Sequence, residues 1–269
     1  MMLSNIFLKA LRDRRLALFW WSFGFAVTNF LICSFYPTVK KSAGDLEAYI
    51  DNMPEAFKAA FLGGSGLDIV SPVGYLNAEL FTLVIPIMFL IFAIGFGSRA
   101  IAGEEEDGTL DLLLSNPLPR QRVVLEKFLA MVLGSGLLGL VAWLSLLLGA
   151  QAFDMDVSSG QLAAATTSSV LLGLTVGTLA LAVGCATGRK GMAVAVGAGF
   201  TTVSYIFNIL TKIAESLESY EKLSLFYYQV DVDPLRHGLK IGDAAVFVGV
   251  IAVFLVVALF LFQRRDLAV

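Results

Sequence analysis

The chain has 269 residues, of which 57% are hydrophobic and only 15% are charged, whereas a soluble domain carries about 25% charged residues. The net charge of −3 is too close to zero to favour nucleic acid as a partner. The hydrophobic residues stand in long uninterrupted blocks, which is typical of membrane spans rather than of one large soluble core. The composition therefore predicts an integral membrane protein and excludes a soluble enzyme.

Six of these blocks are long enough to cross the hydrocarbon core of a bilayer, which needs about 20 residues of helix. We predict an all-α, polytopic protein that forms one transmembrane domain over residues 1–269. The first block follows several cations, as a signal peptide would, but its apolar run is too long, so we expect an uncleaved span. The predicted spans are residues 16–36, 78–98, 128–152, 162–186, 192–210 and 244–262.

Three segments outside the spans have the periodicity of amphipathic helices. Within residues 213–243, between the fifth and sixth spans, glutamates alternate with Leu217, Tyr220 and Leu223, which predicts a short amphipathic helix there. Met1 to Arg15 combines apolar residues at helical spacing with cations near its end, which predicts a short helix lying in the membrane interface before the first span. Residues 46–61, between the first two spans, also carry one apolar face. That face predicts a helix packed on the outer ends of the spans or, alternatively, a lid over a substrate path.

Lys and Arg are shared unequally between the two sides of the predicted membrane. Six spans place both termini on one side, and that side holds 12 of the 19 cations against 7 on the other. Cytoplasmic loops are the ones enriched in Lys and Arg. We therefore expect both termini to be cytoplasmic, in a multi-pass protein of the cell inner (plasma) membrane.

The loop between the second and third predicted spans, residues 99–127, carries the densest motif in the chain. Four acids, Glu104 to Asp107, stand next to the predicted membrane, and Gly108 then breaks the chain direction. Thr109 is suited to cap the short leucine-rich helix that follows. That helix is too short to bury all of its leucines, so we expect it to face the membrane in part and another protein in part. An interfacial helix with a solvated acidic face is the alternative.

This motif resembles a signature of the permease subunits of type-2 ABC exporters, E-x-E-x-G-T-L-(D/E)-x-L-L-x-x-P-x-x-R, which precedes the third of six spans. Residues 223–239, LSLFYYQVDVDPLRHGL, are similar to a second segment of these permeases, S-P-F-x-Y…P-L-x-x-G, with Leu225 where proline is common. The number of spans also agrees, and the resemblance extends over essentially the whole chain. The residues that match the first signature are Glu104, Glu106, Gly108, Thr109, Leu110, Asp111, Leu113, Leu114, Pro117 and Arg120.

The resemblance implies that the short helix of the 99–127 loop is a coupling helix that docks on a separate, soluble ATPase subunit. It implies two ATPase copies below two permease subunits, identical or homologous, within the lipid bilayer. ATP and Mg²⁺ are expected on the ATPase, with no cofactor on this chain. The ATPase-coupling role is carried over to Glu104, Glu105, Glu106, Gly108, Thr109, Leu110, Asp111 and Leu114.

Three further groups of residues are candidates for a role in transport. Arg189 and Lys190, in the turn between the fourth and fifth spans, would be a second ATPase contact or merely part of a tight turn. Asn29 and Asn208 would line the substrate path or its exit, unless they form hydrogen bonds between helices. The aromatic cluster of residues 226–228, Phe226, Tyr227 and Tyr228, is expected at the outer interface, and by resemblance this region dips back into the membrane and caps the exit.

The sequence lacks the catalytic motifs that would indicate an enzyme. It contains no HExxH motif, no P-loop of the required spacing and no evident nucleophile–base pair. The middle of the predicted spans carries no charged residue, which argues against a proton- or sodium-coupled carrier and suits an amphipathic or apolar substrate. We therefore expect a non-catalytic export permease, with a channel or membrane scaffold that does not use ATP as the alternative.

Overall fold

A computed structural model describes residues 6–42, 54, 71–110 and 119–265. The described residues form helices and no strands. Six of the helices, α2 to α7, are long and apolar enough to cross a membrane, which confirms the prediction of an all-α polytopic membrane protein with six spans. The long helices, with the short α1, are α1 (Ile6–Asp13), α2 (Arg15–Lys41), α3 (Pro72–Glu106), α4 (Arg120–Ala152), α5 (Ser159–Thr187), α6 (Lys190–Ile213) and α7 (Ile241–Arg264).

Each spanning helix is longer than its predicted apolar block. Helix α4 begins at Arg120 rather than at residue 128, because a helix can continue into the polar headgroup region once its backbone hydrogen bonds are formed internally. Helix α5 begins with a capping box, in which the side chains of Ser158 and Gln161 each accept from the other's backbone N–H. The hydrophobic pattern locates the spans but does not fix their ends.

Helix α3 is interrupted near its middle. Its α-helical body, Val84–Ser98, lies between two π-helical segments, Asn77–Phe81 and Arg99–Gly103. The regular ladder breaks at Thr82 and Leu83. Thr82 stands four residues before Pro86, where the proline ring meets the preceding turn and removes a hydrogen bond. The distortion expected at Pro86 therefore coincides with this break.

Helices α3 and α5 form the centre of the bundle, and α2, α6 and α7 are much less buried. Small residues let the two central backbones approach closely. A Cβ placed on Gly173 would lie 2.9 Å from the Cβ of Phe89, and one on Gly177 would lie 2.8 Å from the Cβ of Ala93. Any side chain at either glycine would force the helices apart, so both glycines allow the close packing that small residues provide between membrane helices.

The first and last described helices, α1 and α7, meet at one end of the bundle, which we call the terminal end. Ile6, on α1, and Phe262, near the end of α7, are buried in the same apolar cluster. The backbone N–H of Phe7 donates to Glu126 Oε2 at 3.1 Å, which fixes α1 to the base of α4. The predicted N-terminal helix is thus present over Ile6–Asp13, and residues 1–5 lie outside the described range.

At the opposite end, the chain between α6 and α7 folds back into the bundle. The amphipathic segment predicted there is present as a 3₁₀ helix, Glu215–Leu223. A π-helical segment, Tyr227–Asp231, and a single helical turn, Pro234–His237, follow it. Gln229 Nε2 donates to Ser169 Oγ of α5 at 2.8 Å. The helix predicted within residues 46–61 lies outside the described residues.

Candidate functional site

The acidic run forms the last turn of α3. Glu104–Glu106 is α-helical and follows the π-helical segment directly. Gly108 then adopts a left-handed conformation with φ +66°, which a glycine tolerates at no steric cost. The Thr109 hydroxyl donates to the carbonyl of Glu104 at 3.2 Å, so it closes the end of α3. The predicted change of chain direction at Gly108 is therefore present.

The three glutamates contact three different parts of the bundle. Glu104 Oε1 lies 2.5 Å from Lys127 Nζ, near the base of α4. Glu105 forms an ion pair with Arg265, just beyond the end of α7. Glu106 contacts the α5–α6 turn, where its Oε1 accepts from the backbone N–H of Lys190, the first residue of α6, at 2.8 Å. The last turn of α3 is thus fastened to α4, α6 and α7.

The ion pair between Glu104 and Lys127 is largely removed from solvent. Only 5% of the Lys127 side chain and 19% of the Glu104 side chain are exposed. A buried charge is costly unless it is paired, because its hydration is lost. Sequence reasoning placed these acids against a partner protein and missed their internal contacts, since the matching cations are distant in the chain.

Leu110 lies inside the protein. Only 1% of it is exposed, and it shares an apolar cluster with Ile101, Val123 and Phe262. The resemblance carries an ATPase-coupling role over to Leu110, and the structure shows that its side chain packs inside the chain. The exposed residues of this stretch are Glu106, Asp107, Gly108 and Thr109.

Two of the predicted coupling residues, Asp111 and Leu114, lie outside the described residues. Leu110 is itself helical, and Thr109 directly before it is not. This change of conformation occurs where the sequence predicts the start of the coupling helix. The coupling role of the whole set stays a prediction.

The turn between α5 and α6 lies beside the acidic run. Gly188 ends α5 in a left-handed conformation, and its N–H donates to the carbonyl of Gly184 at 2.9 Å. A Cβ on Gly188 would lie 2.6 Å from Glu105 Oε2. Arg189 is exposed and Lys190 is half-buried. The structure therefore brings the two predicted contact regions, the acidic run and this turn, together at the terminal end.

A cavity of about 700 Å³ opens beside the acidic run, between α1, α3 and the bases of α4 and α6. Arg14 forms part of its wall. Its guanidinium donates to the carbonyl of Gly95 at 3.3 Å and lies 4.4 Å from the centre of the Phe96 ring. Burial, and then the charge of Arg99, lower the pKa of Arg14 to about 10, so it remains charged near neutral pH. The charged residues that line the cavity include Lys9, Asp13, Arg99, Glu104, Glu106 and Asp107.

The aromatic cluster predicted at the opposite end is assembled in the structure. The ring centroids of Tyr227 and Tyr228 lie 5.2 Å apart. Phe226 is buried and lies 5.1 Å from Tyr205 of α6, while Tyr228 lies 6.1 Å from Phe247 of α7. These rings therefore fix the returning segment between α6 and α7.

Both candidate asparagines form hydrogen bonds between elements of the bundle. Asn29 is fully buried, and its Nδ2 donates to Ser145 Oγ of α4 at 2.9 Å. Asn208 Nδ2 donates to Asp231 Oδ1 at 3.5 Å. Asp231 also forms an ion pair with Lys212, a contact that sequence reasoning did not find. The structure thus supports the alternative given for these residues, and their place in a substrate path stays a prediction.

The Asp231 carboxylate is held in a partly desolvated position. Burial raises its pKa above the ordinary aspartate value, although the charge of Lys212 and the hydrogen bonds from Lys212 and Asn208 act in the opposite direction. The pair connects the returning segment to the end of α6. Aromatic packing and several polar contacts, among them the Asp231–Lys212 ion pair and the Gln229–Ser169 hydrogen bond, therefore hold this end of the bundle together.

The fold defines a polytopic, all-α membrane protein whose second span ends in a network of polar contacts between helices. The family model described as ABC-2 family transporter protein matches residues 4–267. The chain therefore belongs to this family and is an ABC-2 type permease, a membrane component of ABC transporters. Membership of the family implies an ATPase subunit as a partner. A search of curated proteins finds no match to this chain.

Proposed function

We propose that the chain is the transmembrane permease subunit of an ATP-driven exporter and that its 99–127 loop couples it to a separate ATPase. One observation supports this proposal most strongly: the last turn of α3, from which the loop departs, contacts the ends of three other parts of the bundle through Glu104, Glu105 and Glu106. A force applied to the loop would therefore act on several spans together rather than on one.

The proposed mechanism needs the loop to respond to the ATPase. ATP binding brings the two ATPase subunits together, and each loop moves with the surface that it contacts. Because the ion pairs of Glu104 and Glu105 are partly desolvated, the displacement passes to the adjoining spans instead of being absorbed by a flexible side chain. The spans then exchange between two arrangements that face opposite sides of the membrane.

A second permease subunit, identical or homologous, completes the substrate path in this proposal. The peripheral helices α2 and α6 carry many exposed apolar side chains, which suit contact with lipid or with another membrane helix. An amphipathic or apolar substrate fits spans that have no charge near their middle. The distribution of Lys and Arg supports an inner (plasma) membrane location with cytoplasmic termini, and ATP and Mg²⁺ would bind the partner ATPase.

Purification of the intact complex from its native membrane tests this proposal. A tagged chain, extracted in mild detergent, is expected to retain an ATPase subunit in about equal amount and to show ATP hydrolysis that vanadate inhibits. The competing possibility, a channel or scaffold that does not use ATP, predicts a membrane protein without an associated ATPase. Recovery of the folded permease with no ATPase from such membranes would contradict the proposal.

A further inference from the structure

Arg265 connects four helices at the terminal end. Its guanidinium forms an ion pair with Glu105 of α3, and its Nη1 donates to the carbonyl of Cys185 in α5 at 3.4 Å. Its own carbonyl accepts from Arg120 Nη1 of α4 at 2.7 Å. Arg120 also donates to the carbonyl of Phe262 in α7 at 3.4 Å. The residue that follows the last span is therefore bound to the ends of α3, α4 and α5.

The turn after α5 packs closely against the ion pair between Arg265 and Glu105. Gly188, in the turn after α5, has φ +64°, and a Cβ there would overlap the Arg265 guanidinium and lie 2.6 Å from Glu105 Oε2. Below the ion pair, Phe262 and Leu110 are buried in one apolar cluster. The start of the coupling segment, at Leu110, thus packs against the same end of α7 that Arg265 fixes.

The end of α3 needs such a contact to have a defined direction. The π-helical segment Arg99–Gly103 separates the last turn, Glu104–Glu106, from the α-helical body of α3. The π-helix is a rare conformation that occurs mostly as single turns inside α-helices, and these turns are frequent at functional sites. Because this π-helical segment interrupts the α-helix, the orientation of the last turn depends on the contacts of its side chains. Arg265 provides the contact with α5 and α7.

We propose that Arg265 is a positioning residue for coupling: through Glu105 it holds the start of the 99–127 loop against the ends of α5 and α7. Displacement of the loop is then passed to the last span and to the α5–α6 turn. This inference rests on the proposed function, since it assumes that an ATPase acts on the loop. It adds the carboxyl end of the last span to the coupling path.

The neighbouring residue provides a matched control. Arg264 carries the same charge but is exposed, and its guanidinium lies 4.1 Å from the Phe260 ring. The substitution Arg264→Glu changes the net charge by the same amount as Arg265→Glu and leaves the contact with Glu105 in place. Any difference between these two variants therefore reports the ion pair and not the charge of the chain end.

The test uses the permease–ATPase complex in membranes, in a background without Cys33 and Cys185. A cysteine replaces Leu223, an exposed residue at the opposite end, and the rate of its reaction with a maleimide is measured with and without ATP and vanadate. The parental complex is expected to show a nucleotide-dependent rate. Arg265→Glu should reduce that dependence to below about one tenth, because it would place a second carboxylate against Glu105 in a partly buried position, and Arg264→Glu should match the parent.

Exchanging the charges of Glu105 and Arg265 distinguishes a positioning role of Arg265 from a contribution to the stability of the permease. The double variant Glu105→Arg with Arg265→Glu should recover most of the nucleotide response, while ATPase content and the unfolding temperature are followed in every variant. A merely structural role predicts that response, ATPase content and unfolding temperature fall in parallel. If Arg265→Glu does not fold, Arg265→Lys keeps the charge but loses the planar fork, and it should reduce the response at normal ATPase content.

The outcomes distinguish the inference from the function on which it rests. A parental complex that contains no ATPase would overturn both. A parental complex that responds to nucleotide, together with an Arg265→Glu variant that folds and responds equally, would overturn the positioning role alone and leave the proposed function in place.

Discussion

Glu104, Glu105 and Glu106 are adjacent in the chain, yet each contacts a different part of the bundle. Their charges therefore contribute to the fold of the permease itself. Reversing all three would break internal contacts in addition to altering any surface offered to an ATPase. Tests of ATPase contact consequently need residues of this stretch that are exposed, such as Asp107 and Thr109.

Removing the charge of Glu104 is expected to destabilise the permease. Glu104→Gln would leave the buried ammonium of Lys127 without its partner, at a cost of about 3–5 kcal/mol. The exposed neighbour is the control, since Asp107→Asn should change the free energy of unfolding by less than about 0.5 kcal/mol. Thermal unfolding of the two purified variants in the same detergent measures the difference. Equal unfolding temperatures would show that the ion pair contributes nothing.

Reversing the charge of Asp107 is expected to weaken ATPase binding without affecting the fold. Asp107→Lys would place a cation on the exposed turn before the coupling segment, and like-charge contacts at an interface cost several kcal/mol. Asp156→Lys, at an exposed site on the opposite end, makes the same change away from the loop. Copurified ATPase per permease should fall only in the first variant. Parental binding by Asp107→Lys would exclude this residue from the interface.

Asp231 makes the opposite end of the bundle sensitive to pH. Its raised pKa means that the folded protein binds this proton more readily than the unfolded chain does. Acidification through that pKa therefore removes the ion pair with Lys212 without destabilising the fold through this group. We expect amide hydrogen exchange, corrected for its intrinsic pH dependence, to show equal or greater protection in residues 227–237 as the pH falls, because local opening would return this carboxyl to its ordinary pKa. Asp231→Asn should keep the protection at neutral pH and lose its pH dependence, and a loss of protection on acidification would contradict the raised pKa of Asp231.

At the level of elements, the sequence predicts where helices exist better than how they are built. The six apolar blocks predict all six candidate spans because hydropathy alone sets which segments can cross a bilayer. The two π-helical segments of α3 have no sequence signature of this kind, since the pattern of apolar residues does not reveal how the backbone hydrogen bonds shift. The 3₁₀ helix at Glu215–Leu223 was predicted as an amphipathic helix, and the structure confirms the element and refines its type.

The aromatic segment between α6 and α7 carries a prediction of its own. Replacing Phe226, Tyr227 and Tyr228 with alanine removes the rings that fix this segment between α6 and α7. Because the segment lies at the end opposite to the coupling loop, we expect impaired export with unchanged ATPase content. Transport assays and copurification on the same preparations provide the measurement. Undiminished export by the triple variant would leave these rings a purely structural role.

For the molecule as a whole, what could not be predicted is long-range pairing. Glu105 and Arg265 are 160 residues apart in the sequence, and no periodicity connects them. The leucines of the short helix were expected to face the membrane in part and a partner in part, but the ends of α4 and α7 provide a site for Leu110 inside the chain. Motif and composition therefore predicted the family and the region of interest, whereas the direction of individual side chains required the structure.

The proposed orientation of the whole molecule rests on the distribution of Lys and Arg and can be tested directly. Cysteines at Arg189 and Glu218 would be introduced into a chain that lacks Cys33 and Cys185, whose native thiols are buried and not bonded to each other. We expect an impermeant maleimide to label the residue at 218 in intact cells and the residue at 189 only after the membrane is opened. Labelling at 189 from outside would reverse the proposed orientation.

Photo-crosslinking from Thr109 tests the central claim, that the segment beyond the last turn of α3 contacts an ATPase. Thr109 is exposed, so a benzophenone amino acid at this position would report its neighbours in living cells. The account predicts an adduct that contains an ATPase subunit and no such adduct from the same probe at Tyr220, an exposed residue of the opposite end. Adducts at Thr109 that contain only lipid or the permease itself would contradict the account.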